Sequence, residues 1–323
     1  MQRFLFPTAL LLVLIASGIL LPYVGQTYIS PDSEVYWTIY WLRFHRTALA
    51  LIAGSGLALA GLVFQSMFRN PLAEPYILGV ASGGAFGAAL CLQTTLRLGV
   101  PSLIAGGVIP TVSLGAFFGA LLAMGVVLAL ARRRDTSSEQ MLLAGIAVNF
   151  FFSSLIVLMQ YLSAPHDALQ ILRWTMGGVQ NATQTTDWLW VAPIVLMFMV
   201  FLILQSRTMN VFVTGSDRAT SLGVNVGRFR MIWFVVTSLV VGAIVSVAGP
   251  IGFVGLLVPH VVRMVVGPDH RFLVMSTGFL GAIFLAGCDT LGRWFLHFEL
   301  PVGIITSLLG GPFFLWLLLK RNR

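Results

Sequence analysis

The sequence predicts an all-α integral membrane protein of about ten transmembrane helices, and three observations carry that prediction. The first is composition. The 323 residues are 58% hydrophobic and only 9% charged, with a mean hydropathy of +0.92. A soluble domain carries roughly 25% charged residues, so this chain cannot cover a water-facing surface and takes lipid as its solvent. The second is a succession of ten apolar runs, most of them close to the ~20 residues that cross a bilayer. The third is the way basic residues sort between alternate loops.

The runs fall at 4–21, 47–67, 76–95, 100–131, 140–163, 187–206, 230–248, 252–267, 272–288 and 302–319. The first, "MQRFLFPTALLLVLIASGIL", has Arg3 ahead of an apolar core, as a secretory signal does. It is long enough to span, and many spans follow, so it reads as a retained first helix. The run at 100–131 fits one long tilted helix or two pieces broken near Pro110. The runs at 252–267 and 272–288 are short for a span. All of residues 1–323 read as one polytopic domain.

Placing the N-terminus in the cytoplasm puts fourteen of the nineteen basic residues inside. Five remain outside: Arg43, Arg46, Arg97, Arg173 and Arg293. That bias sets the orientation, with both termini cytoplasmic. It also accounts for the net charge of +8 without nucleic acid as a partner.

Two polar segments are long enough to hold structure. Residues 164–186 lie outside, and "ALQILRWTM" within them has a helical apolar pattern, so a short surface helix is expected there. Residues 207–229 lie inside. In them "TGSDRATSLGV" reads as Ser216 or Asp217 capping a short helix that Gly223 ends. Pattern alone leaves that segment either a docking surface or a plain connector. Gly79, Gly83 and Gly87 recur every four residues, as do Gly115 and Gly119. Such stripes let helix backbones approach closely in lipid.

Several chemistries are excluded or disfavoured. Lys320 is the sole lysine and Arg321 follows it, so the chain lacks the phosphate loop G-x-x-x-x-G-K-[ST] and cannot hydrolyse ATP by that route. The histidines form no H-E-x-x-H pattern and pair with neither Cys91 nor Cys288 at metal spacing, so no metal site and no catalytic residue is expected. All eleven acids, Asp289 and Glu299 among them, fall in loops or span ends. A proton-coupled transporter working alone needs an acid at mid-depth, which disfavours a stand-alone secondary transporter. A transport subunit driven by a partner fits best.

At "FRNPLAEPYILGVASGGAFGA" (68–88) the chain resembles the permease subunits of ABC importers for iron–siderophores, haem and vitamin B12. The resemblance continues through "LLAGIAVN" (142–149), "RWTMGG" (173–178), "RATSLGV" (218–224), "AGPIGFVGLLVPHVVRMVVGPDHR" (248–271) and "ELPVGIITSLLGGPFFLWLLLKR" (299–321), in the family's order. It covers nearly the whole chain. It implies an inverted-repeat bundle of ten helices, helices two to five against seven to ten, in the bacterial inner membrane. It also implies a second permease subunit, as a homodimer or close heterodimer around one central pathway, with the homodimer preferred. Two cytoplasmic ATPase subunits would carry ATP and Mg, and a periplasmic binding protein would deliver substrate, an iron–siderophore in preference to haem or cobalamin. This chain itself would hold no cofactor.

The resemblance also assigns roles by position. Gly215, Ser216, Asp217, Arg218, Ala219, Ser221, Leu222 and Gly223 match the helix that seats in the ATPase, which selects the docking reading for that segment. Thr136, Ser137 and Ser138 match the cytoplasmic narrowing of the pathway. Trp174, Met176, Gly177 and Gly178 match the outer gate, and Asn149 a pathway-lining position. Arg43, Arg46 and Arg293 match arginines that meet acidic residues of the binding protein. The planar guanidinium fork suits such carboxylate contacts. The chain departs from the family in one place: the usual proline before the second arginine is His45.

Overall fold

The computed structural model describes residues 2–25, 35–98, 111–131, 138–180, 186–294 and 299–321. Among them every regular element is helical, as lipid demands, because a helix satisfies its own backbone polar groups. In chain order the α-helices are α1 (Gln2–Leu20), α2 (Tyr36–Phe68), α3 (Val80–Leu98), α4 (Thr111–Ala131), α5 (Ser138–Leu162), α6 (Pro165–Thr175), α7 (Thr186–Leu189), α8 (Val191–Leu204), α9 (Ser206–Val213), α10 (Ser216–Ser221), α11 (Val226–Ala248), α12 (Val254–Val266), α13 (His270–Trp294) and α14 (Val302–Arg321).

Each of the ten apolar runs overlaps at least one of these helices, the sixth covering both α7 and α8; residues 100–110 of the fourth run, with the break expected near Pro110, lie outside the described residues. Six helices are long and apolar enough to cross a membrane: α1, α2, α4, α5, α11 and α13. The pair α8 and α9 makes a seventh candidate, bent by 63°. Shorter apolar helices lie at Val80–Thr94, Val254–Val266 and Val302–Leu317.

Two details differ from the sequence expectation. Helix α2 starts at Tyr36 rather than at the apolar run, so the aromatic and arginine-bearing residues 36–46 form its first three turns. The inner segment is also more helical than its polarity suggests. Helix α9 follows α8 directly, and α11 begins at Val226 with Asn225 as its cap, the side chain accepting a hydrogen bond from the Arg228 amide at 3.0 Å. The cap of α10 is Gly215 and involves no side-chain bond, so neither Ser216 nor Asp217 plays that part. Gly223 does end the helical stretch, at φ +83°.

The chain divides into two compact units. The first comprises 1–62, 178–207 and 252–323. In it α13 packs against α1, α8, α12 and α14. Glycines set the spacing of its helices: a Cβ on Gly54 would strike the Gly281 carbonyl, and one on Gly61 the Gly255 carbonyl. The second unit comprises 63–177 and 208–251. In it α3 packs along α4, and α11, α5 and α6 pack around them. Here Gly83 meets Gly119 and Gly87 meets Gly115, backbone to backbone. The glycine stripe of the sequence is therefore a helix seam.

Candidate functional site

At the N-terminal end of α2, within the first unit, Arg43 and Arg46 stand one turn apart on one face. Arg46 is almost fully buried, at 5% exposure. Its Nε donates to Asp289 Oδ1 at 2.8 Å, and its Nη1 donates to Glu299 Oε2 at 2.7 Å. Asp289, on α13, is 1% exposed. Its second oxygen faces Arg293 Nε at 3.1 Å, one turn along the same helix. Arg293 Nη2 also donates to Thr290 Oγ1 at 3.0 Å and to Thr47 Oγ1 at 3.4 Å. One buried carboxylate thus pairs with two buried guanidiniums, and Glu299, reaching in from an exposed position, supplies the second negative charge. Burial of these charges is sustained only by such mutual pairing.

The sequence places Arg43, Arg46 and Arg293 together at the outer surface. The structure brings them together but buries two of them. Arg46 and Arg293 are committed to Asp289 inside the unit, and only Arg43 is partly exposed. Asp289, which follows the last residue of its apolar run, sits near the end of α13 as expected of a span-end acid, but it is enclosed.

His45 lies inside α2, where a proline would remove a backbone donor and kink the helix. Its ring stacks on Trp41 at 6.1 Å between centroids, and its Nδ1 accepts from Trp188 Nε1 at 3.2 Å. That bond leaves the ring proton on Nε2 when the histidine is neutral.

The inner segment belongs to the second unit from Thr208 to Val226. Helix α9 buries Met209 and Phe212. Phe212 stacks on Phe229 at 4.7 Å between centroids, and Phe229 meets Trp233. Helix α10 buries Ala219 alone and exposes Asp217, Arg218, Thr220 and Ser221, with Leu222 beyond them 67% exposed. Gly215 at φ +136° and Gly223 at φ +83° bracket it, and neither has an atom within 4 Å of where a Cβ would sit. The result is a small, exposed helix between two backbone positions suited to glycine.

Helix α6 is the expected outer helix. Pro165 opens it, Asp167 lies in its first turn and Arg173 in its last, each matched to the helix dipole. Ile171 seats it on Ala85, Ala89 and Ile156, with Trp174 packed alongside. Gly177, at φ +66°, lies against the Pro250 carbonyl so closely that no Cβ fits. Met176 caps α6, and Gly178 lies beside the Gln180 side chain. Asn149, half-buried on α5, sits where its amide would touch a Cβ on Gly79. Thr136 and Ser137 lie outside the described residues, and Ser138 is the first residue of α5. Among the described residues no three His, Cys, Asp or Glu side chains gather to hold a metal.

The model of the FecCD transport family matches residues 4–320. The chain belongs to that family. This FecCD permease is 37% identical over 295 residues to the hemin transport system permease HmuU of Yersinia pestis, covering 90% of this chain and 86% of that one. It is 35% identical over 330 residues to the vitamin B12 import system permease BtuC of Klebsiella pneumoniae, covering 99% and 95%. Among solved structures it resembles an ABC transporter assigned to the metal-chelate type, in an inward-facing conformation. The TM-score is 0.85 at 28% identity, over 98% of this chain and 99% of that one. A more distant likeness, to PsaBC of Streptococcus pneumoniae at 18% identity and TM-score 0.53, extends to the fold alone. The FecCD permease is thus a multi-pass membrane transport subunit of the family that serves siderophores, haem and vitamin B12.

Proposed function

We propose that this FecCD permease works as a homodimer in the bacterial inner membrane, both termini cytoplasmic, and imports an iron–siderophore chelate delivered by a periplasmic binding protein. Two separate ATPase subunits drive it, and α10 with Leu222 and Gly223 is the surface that seats in them. The observation that supports this most is the exposure of α10 between two positive-φ glycines, in a chain matched to the family over nearly its full length. A six-residue helix that buries one alanine is held for what its outer face touches.

At the outer end Arg43 and the exposed Glu299 are the charged groups offered to the binding protein. Arg46 and Arg293 support that surface from beneath. The outer helix around Trp174–Gly178, the position of Asn149 on α5 and the stretch Thr136–Ser138 serve as outer gate, pathway wall and inner gate. A large ligand handed over by a binding protein leaves fastest from a weakly binding wall, so affinity resides in the binding protein. The likeness to a metal-chelate type transporter fits all three cargoes, since ferric siderophores, haem and cobalamin are each metal chelates. The relatives named for hemin and vitamin B12 define the alternatives.

The test is uptake into proteoliposomes holding the permease with its ATPase, with the partner binding protein supplied outside. Labelled ferric siderophore, haem and cobalamin are compared. ATP-dependent uptake of the siderophore that persists when the proton gradient is collapsed supports the reading. Uptake that follows the gradient and not ATP would overturn it, and preference for haem or cobalamin would replace the substrate.

A further inference from the structure

Arg69 has a backbone that few residues adopt. It ends α2 at φ +49°, and among the described residues it shares a positive φ without being glycine only with Phe253. Such a conformation is unfavourable for a side chain with a Cβ and persists only where surrounding contacts enforce it. The contacts are present. The amide of Asn70 donates to the Gln65 carbonyl at 3.2 Å, and the Asn70 side chain accepts from the Leu72 amide at 3.0 Å. Together they turn the chain out of α2 and aim the Arg69 side chain at the inner segment.

There the guanidinium makes three contacts with residues far away in sequence. Nη2 donates to the carbonyl of Phe212 at 3.1 Å and to Ser216 Oγ at 3.3 Å. The guanidinium carbon also lies 5.6 Å from the centre of the Phe212 ring. Phe212 is in the last turn of α9, where the final carbonyls lack helical partners and a cation is favoured. Ser216 is the first residue of α10. Between them lie only Val213, Thr214 and Gly215, and Gly215 takes a glycine-type conformation, φ +136°, with open space where a Cβ would sit. One side chain therefore bridges the end of one helix and the start of the next across that glycine.

We propose that Arg69 is a positioning residue that staples α9 to α10 and so fixes the angle at which α10 is presented to the ATPase. The inference rests on the reading of α10 as the coupling surface and adds the element that holds it. Phe212, locked by its stack on Phe229, is the fixed side of the staple, and Ser216 is the side that is held. Without the guanidinium, rotation about Gly215 lets α10 swing while the rest of the unit stays folded. A partner then hydrolyses ATP without moving the permease in step.

The experiment uses the complete permease–ATPase–binding-protein complex in proteoliposomes. A spin label at Ser221, on the exposed side of α10, reports its motion. Uptake and ATP hydrolysis are measured together in the same vesicles. In Arg69→Ala the label becomes more mobile, and substrate taken up per ATP falls by about tenfold, the scale of one lost charge-assisted contact. Ser216→Ala removes only the outer contact, leaves α2 and its turn intact, and gives a smaller change in the same direction. An unchanged label in both variants overturns the staple, whatever α10 binds. A mobile label with unchanged uptake per ATP also overturns the positioning role. Gly223→Glu then locates the fault: if it too leaves coupling intact, α10 is not the coupling surface.

Discussion

Arg46 and Asp289 form a 2.8 Å buried hydrogen-bonded ion pair between residues 243 positions apart in the chain. Asp289 is shared with Arg293, so the carboxylate is the hub that fastens α2 to α13 near their ends. This geometry buries two arginines and leaves Arg43 partly exposed in a group that looks equivalent in sequence.

Removing one partner of a buried pair strands the other. Arg46→Ala and Asp289→Ala should each lower the stability of the detergent-solubilised permease by about 3–5 kcal/mol. The triple replacement Arg46→Met, Asp289→Leu and Arg293→Met removes the whole buried cluster and should recover much of the loss. Thermal unfolding of the three variants checks this. Additive losses would show that the cluster is not coupled.

Arg43 behaves differently, because it is partly exposed. Arg43→Glu should lower the melting temperature less than Arg46→Glu does and weaken binding-protein association by about 0.2–1 kcal/mol, with a shallower salt dependence. Arg46→Glu should instead lower both stability and association. Binding measured at several salt concentrations, alongside melting, distinguishes the two. Identical behaviour of both variants would remove the distinction.

The glycines supply an internally controlled test. Gly61→Ala and Gly87→Ala drive a methyl into a facing backbone carbonyl and should cost about 1–3 kcal/mol or abolish folding. Gly125→Ala and Gly287→Ala meet no atom within 4 Å and should be neutral or stabilising by up to about 1 kcal/mol through helix propensity. Expression yield and melting temperature read both sets. Equal effects would mean that close approach is not what places glycine at the seams.

Gly223 tests backbone against surface. Its φ of +83° is open to asparagine but disfavours other side chains, and no neighbour obstructs a Cβ. Gly223→Asn should retain most uptake, whereas Gly223→Glu should uncouple hydrolysis from uptake. Parallel assays of ATP consumption and transport decide, and full coupling in the glutamate variant would count against the docking surface.

Local patterns made much of this legible from sequence. The described parts of the ten apolar runs are mostly helical because lipid leaves the backbone few choices. The α6 helix, the glycine seams and the end of the α10 stretch at Gly223 were visible as periodicity or as residue types with narrow backbone uses. The first turns of α2 and the whole of α9 were hidden, because arginine, tryptophan and polar residues there mimic an interfacial loop. Burial of Arg46 was invisible for another reason. Its partner lies across the chain, and only the i,i+4 spacing of Asp289 and Arg293 hinted at a pair. The bridge from Arg69 to Phe212 and Ser216 left no sequence signal beyond an arginine before Asn-Pro.

The facing glycines of α3 and α4 also constrain how the protein can move. Where side chains interdigitate, rotamers can adjust and let one helix slip along another by fractions of a turn. At Gly83–Gly119 and Gly87–Gly115 the backbones face one another with only the Ala123 methyl and the Cys91 side chain beside them, and a slip of even one residue, about 1.5 Å along the axis, drives a neighbouring Cβ into a carbonyl. The seam therefore resists sliding of α3 along α4, and the two helices are held in one register.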